Sequence, residues 1–154
     1  MAINPNSDFS AGAVLTAAQQ NRFPRGVVAY AQVITSDTTI TADEIQVTSS
    51  SFTAVANRYY RITYYEPQFS TPAGSFAVLS IKKTNLAGTV YNTGIAQSPA
   101  AGGLNYSINV QAVTTFSAGS TVVVGTIASG GGTCNATRSA TSIAFILVED
   151  IGPA

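Results

Sequence analysis

Residues 104–112 read Leu-Asn-Tyr-Ser-Ile-Asn-Val-Gln-Ala, an unbroken alternation of apolar and polar side chains. A period of two is the signature of a strand with one side in a core and the other toward water. Leu104, Tyr106, Ile108, Val110 and Ala112 form the inward set here, and Asn105, Ser107, Asn109 and Gln111 the outward one. The chain repeats such β-rich runs at 26–35, 38–47, 58–66, 75–84, 89–95, 120–128 and 142–149. In the tyrosine-rich run at 58–66, Tyr60, Ile62 and Tyr64 share one face, with Tyr59, Arg61, Thr63 and Tyr65 on the other. Gly-, Pro- and Asn-containing turns separate the runs, and 129–139 reads as a loop with Gly130, Gly131 and Gly132 at a flexible tip. About eight short strands at this spacing predict an all-β chain folded as an antiparallel sandwich or barrel.

The first 25 residues follow a different rule. Asn4, Pro5, Asn6, Ser7 and Asp8 favour turns, so the chain begins as an extended arm. Thr16 with Gln19 three residues later fits a capping box, and Pro24 halts any helix after one or two turns. The expected division is a docking arm over 1–25 and a β-domain over 26–154. An arm without its own core orders against a partner, and Phe9, Val14, Leu15 and Phe23 are its expected anchors.

Only 9% of the residues are charged, seven basic and seven acidic. An average domain carries about 25%. A neutral chain has no field to recruit nucleic acid or an anionic membrane. So sparse a charge also leaves apolar surface for other subunits to cover. Two runs are apolar on both faces, one holding Val122, Val123 and Val124, the other 143–148. Since a sandwich strand has one face in the core, the second face of each is expected at a subunit interface, through Val123, Ile146 and Val148. A fully buried central strand is the alternative. The apolar runs are too short to span a bilayer as a helix. The start of the chain lacks the basic and apolar regions of a signal peptide, so synthesis in a cytoplasm is expected.

Chemistry is sparse. There is no His, which removes the usual general base and most zinc sites. Cys134 is alone, so it has no intrachain disulfide partner. Asp43 and Glu44 point to opposite faces of a strand edge, and with Asp37 they match no calcium loop. Glu149 and Asp150 read as a charged strand end. The triple glycine lacks the Lys-Ser/Thr ending and following helix of a phosphate cradle. No catalytic residue, cofactor or metal site is expected. The outward tyrosines Tyr59 and Tyr65 are expected at a subunit contact, with a glycan platform as the alternative.

The segments 8–21 (DFSAGAVLTAAQQN), 24–28 (PRGVV), 57–62 (NRYYRI) and 147–154 (LVEDIGPA) resemble a family of small virion proteins of tailed bacteriophages of actinobacteria, encoded near minor tail genes. The resemblance frames nearly the whole chain, and its two ends are its specific parts. It implies a homotrimeric jelly roll like the globular heads of complement and tumour necrosis factor proteins, with the tyrosine-rich and final strands about the threefold axis. It further implies a non-enzymatic structural protein on the virion exterior, in a minor tail or host-adhesion role. Other virion proteins, of the tail or the major capsid, would be its partners. Capsid decoration is one alternative. A carbohydrate-binding module for host cell-wall glycan is another, from a different class.

Overall fold

A computed structural model describes residues 12, 14–99 and 105–154. Phe9 and Leu104 therefore lie outside the described residues. Among the described residues, a single helical turn, α1 (Ala17–Gln20), is followed by twelve strands: β1 (Gly26–Val33), β2 (Asp37–Ile40), β3 (Glu44–Thr48), β4 (Phe52–Ala54), β5 (Arg58–Ser70), β6 (Phe76–Lys83), β7 (Val90–Gln97), β8 (Asn105–Thr115), β9 (Gly119–Thr121), β10 (Val123–Ser129), β11 (Cys134–Ala136) and β12 (Ala144–Pro153). All pairings are antiparallel. The architecture is an antiparallel β-sandwich of jelly-roll type.

The spine is β5. Along one edge it pairs with β8, and along the other with β12 and then β11, which carry β1 and β2 beyond them. The facing sheet runs β3-β10-β6-β7, and β4 pairs with β9 in a small ribbon. Pro67 lies within β5, where it has no N–H for a ladder. It sits at the register shift between Glu66 and Phe69, where a strand tolerates Pro.

The alternation sorts the strands as expected. Tyr60, Ile62, Tyr64, Val110 and Ala112 are buried, against Leu79, Ile81 and Ile127 of the facing sheet. Phe116 sits among Phe52, Tyr60 and Tyr91, with ring centroids 5.2–5.6 Å away. Gly125 is required by packing, because a Cβ there would lie 2.8 Å from the Tyr64 ring.

Four expectations need correction. The run 38–47 is two strands, broken at 41–43, and 120–128 is likewise split between β9 and β10. The stretch 129–139 contains a strand, β11, and Gly130–Gly132 is a pinned turn rather than a flexible tip. Gly130 donates to the Phe76 carbonyl, Ser75 Oγ to the Gly131 carbonyl, and Ser129 Oγ to the Gly132 carbonyl. Val123, Ile146 and Val148 are fully buried in this chain's own core, so they present no face to another subunit. The physical reason is alternation: Ile146 and Val148 share the inward phase of β12 with Ala144, and Val123 that of β10 with Ile127, so the other face of β12 is carried by Phe145 and Leu147 instead.

Candidate functional site

The outer face of the β1-β12-β5-β8 sheet is built by the residues that alternate with the core set. Register aligns them in rows: Val27, Glu149, Arg61 and Val113; then Tyr30, Leu147, Thr63 and Gln111; then Gln32, Phe145, Tyr65 and Asn109. Phe145 is the centre of an aromatic strip, 6.2 Å from Tyr30 and 5.4 Å from Tyr65 by ring centroid. Tyr30 Oη donates to Gln32 Oε1 at 2.9 Å. The one charge pair in these rows, Arg61 with Glu149 at 2.8 Å, neutralises itself. Val27, Tyr30 and Val113 remain 59%, 46% and 60% exposed. The face thus mixes exposed aromatic and aliphatic side chains with uncharged amides and a single ion pair.

Of the residues expected at an interface, Tyr65 belongs to this face and Tyr59 lies two positions beyond Arg61 on the same side of β5, both half-buried. Tyr30, Phe145 and Leu147 were missed. Their signal was present: each alternates with a buried residue of its own strand. In the arm, Val14 is 90% exposed, and Leu15 and Phe23 are exposed to 38% and 39%. The helix has its full capping box, with Gln19 N donating to Thr16 Oγ1 and Thr16 N to Gln19 Oε1.

Several ionisable groups elsewhere are engaged with one another. Arg138, in the loop before β12, forks onto Glu66 through Nε at 2.7 Å and Nη2 at 2.8 Å, both side chains buried. Its Nη2 also donates to Gln46 Oε1 at 2.6 Å, and Gln46 Nε2 donates to Asp37. Tyr64 Oη completes the Glu66 shell at 3.0 Å. Burial, then the Glu66 carboxylate, push the Tyr64 phenol well above its ordinary range, with Arg138 opposing. Burial acts to raise Asp37, but hydrogen bonds from Thr39 and Gln46 and the charge of Arg138 hold it below the usual carboxylate value. Glu44 is raised by burial and by Asp37.

A second buried pair joins Arg58 to Asp150, with Nε at 2.5 Å and Nη2 at 2.7 Å from the carboxylate. Lys82 bonds Asp43 and the Leu86 carbonyl. The recess lined by Gly74, Gln97, Ser98 and Pro99 offers no ionisable side chain. Among the described residues, no three His, Cys, Asp or Glu side chains gather where they could hold a metal ion.

These features define an antiparallel jelly-roll β-sandwich with an aromatic strip on one outer face. No protein-family model matches the sequence, and no curated protein is similar to it. Among solved structures, the fold is similar to the Eiger tumour necrosis factor from S. frugiperda, with TM-score 0.51 and 10% identity over 84% of this chain and 96% of that one. A carbohydrate-binding module of lichenase 5A from Cellvibrio mixtus aligns with TM-score 0.33 and 15% identity, over 78% of this chain and 96% of the module. At these identities the likeness concerns fold alone.

Proposed function

We propose that the chain is a non-enzymatic structural subunit of a bacteriophage virion, a homotrimer on the particle exterior in a minor tail or host-adhesion role. The observation that carries the assembly role is the outer face of the β1-β12-β5-β8 sheet, where exposed Tyr30 and half-buried Phe145 and Tyr65 pack in a tilted aromatic strip beside exposed Val27 and Val113. Fully burying an exposed ring is worth roughly 1.5–3 kcal/mol; these rings, already partly covered, gain a fraction of that each, and self-association is the simplest way to collect it in a chain with so little charge. The subunit contact accordingly centres on Tyr30, Tyr65, Phe145 and Leu147, with Tyr59 at its margin. The virion assignment rests on the resemblance of segments 8–21 and 147–154 to actinobacterial phage virion proteins. The arm, with Val14 and Leu15 outward, supplies the attachment.

Light scattering on the purified chain tests the assembly. A trimer that Phe145→Ser or Tyr65→Ser converts to folded monomers supports the reading, whereas a wild-type monomer at micromolar concentration overturns it. Mass spectrometry and antibody labelling of purified particles then separate tail placement from capsid decoration.

One observation favours a second reading. The aromatic strip is flanked by the amides of Gln32, Asn109 and Gln111, the composition of a surface on which sugars stack. Binding to host cell-wall polysaccharide that Tyr65→Ala abolishes would move the assignment to a glycan-binding module.

A further inference from the structure

The arm is not joined to the β-domain by a free linker. Arg58, at the start of β5 and 4% exposed, spends part of its guanidinium on Asp150 and the rest on the arm. Nη1 donates to the Asn21 carbonyl at 2.5 Å and Nη2 to the Phe23 carbonyl at 2.6 Å. Asp150 is held in turn by Gly152 N at 3.0 Å, and Arg25 Nε lies 4.0 Å from it. The end of β12 is shaped for this. Its register shifts between Asp150 and Gly152, and Gly152 adopts φ +121°, which a side chain would strain. A Cβ at Gly152 would stand 3.8 Å from the Arg22 carbonyl, so the arm root passes directly over the bulge.

On the far side of this mooring lies a short element that buries none of its own residues. A four-residue helix without a buried residue is far below the length that is stable alone. It nevertheless carries a complete capping box at its start, and its C-cap residue Asn21 is gripped by Arg58. Two separate devices thus hold an exposed segment whose leading side chains are Val14 and Leu15. Preorganisation of this kind lowers the entropy lost on binding.

We propose that Arg58 is a positioning residue for docking: by clamping the Asn21 and Phe23 carbonyls against Asp150, it fixes the direction in which the capped turn presents Val14 and Leu15 to the virion partner. This deepens the docking role assigned to the arm above and rests on it for the partner. The clamp itself stands on geometry alone. Lysine cannot replace the arginine, because an ammonium cannot grip one carboxylate and two carbonyls lying in different directions with a planar fork.

Trypsin provides the test. The chain has no Lys or Arg before Arg22, so the bonds after Arg22 and Arg25 are the first two places where trypsin can separate arm from domain. In the native wild-type chain these bonds should be cut at least a hundredfold more slowly than in urea-unfolded protein. Cutting at equal rates would overturn the proposal without any variant. Arg58→Lys should speed cleavage at least tenfold, while Arg61→Lys, on the outer face of the same strand, should not. Particles produced from a phage genome encoding Arg58→Lys give the readout that a merely structural role would not move. Loss of incorporation by a chain that remains folded and trimeric supports the proposal. Wild-type incorporation with a loosened arm overturns it. Incorporation of a chain lacking residues 1–20 would instead overturn the docking role, leaving the clamp to be judged by the protease rates.

Discussion

Replacing Arg138 with Met removes a cation from one of the most enclosed sites in the molecule while leaving its counter-charge in place. Glu66 is fully buried and receives two guanidinium N–H groups and the Tyr64 hydroxyl. The substitution deletes two charge-assisted bonds and strands the carboxylate with one donor. It also strips Gln46 Oε1 and the Thr35 carbonyl of a partner. Breaking a buried pair from one side costs about 3–5 kcal/mol, out of the roughly 5–15 kcal/mol that holds a domain together. For a chain of this length that is a fall in Tm of about 6–20 °C. The double variant Glu66→Gln/Arg138→Met should recover at least half of the loss, since the amide needs less solvation and still accepts from Tyr64. Urea unfolding of the four proteins, at one fixed concentration because the proposed assembly would shift the midpoint, completes the cycle. Additive losses, or an Arg138→Met variant within about 1 kcal/mol of wild type, would refute a coupled, desolvated pair.

Other consequences are simpler. The Tyr64 phenol is raised well above its ordinary value by burial and by Glu66, so the folded state keeps a proton that the unfolded chain releases. Its contribution is present below the unfolded pKa of about 10 and is lost as pH rises above it, so chemical denaturation between pH 9 and about 11.5 should show stability falling, less steeply in Tyr64→Phe. Gly125→Ala would drive a methyl to 2.8 Å from the Tyr64 ring and should cost about 1–3 kcal/mol by thermal melting. Thr84, a β-branched residue at φ +65°, is strained in the turn after β6, and Thr84→Asn should stabilise by about 0.5–1 kcal/mol. Asp37 is held below its ordinary value by the bonds from Thr39 and Gln46. Its contribution is therefore present above about pH 4 and lost as pH falls further, and Asp37→Asn should flatten the acid limb of the stability curve.

The fold was legible because one rule, the period of two, operates along most strands. The capping box at Thr16 and Gln19 and the halt at Pro24 were legible for the same reason, being local. What sequence reading missed depends on strand order. In the runs of Val123, Ile146 and Val148 both phases are apolar, so the sequence does not show which phase faces the core; the fold puts these three inward and Phe145 and Leu147 outward. The short strands β4 and β11 carry three residues each, too few for a period to be read.

The buried charges left a trace that alternation could have exposed. In β5 the inward phase runs Arg58, Tyr60, Ile62, Tyr64, Glu66, and in β12 it runs Ala144, Ile146, Val148, Asp150. A charge in phase with a core face is either a strand end or a buried ion that needs a partner of opposite sign. With seven cations in the chain the search is short, and the structure resolves it as Arg58 with Asp150 and Arg138 with Glu66. The two pairs then divide the work. Arg138 and Glu66 tie the loop before β12 to β5 and, through Gln46, to β3, closing one part of the sandwich. Arg58 and Asp150 tie the ends of two central strands to the arm. The outer face bears one self-neutralising pair and otherwise apolar or uncharged side chains. A chain with so few charges has committed most of them to fixing its own frame, which leaves its outward chemistry to rings, methyl groups and amides, the groups on which the proposed assembly would draw.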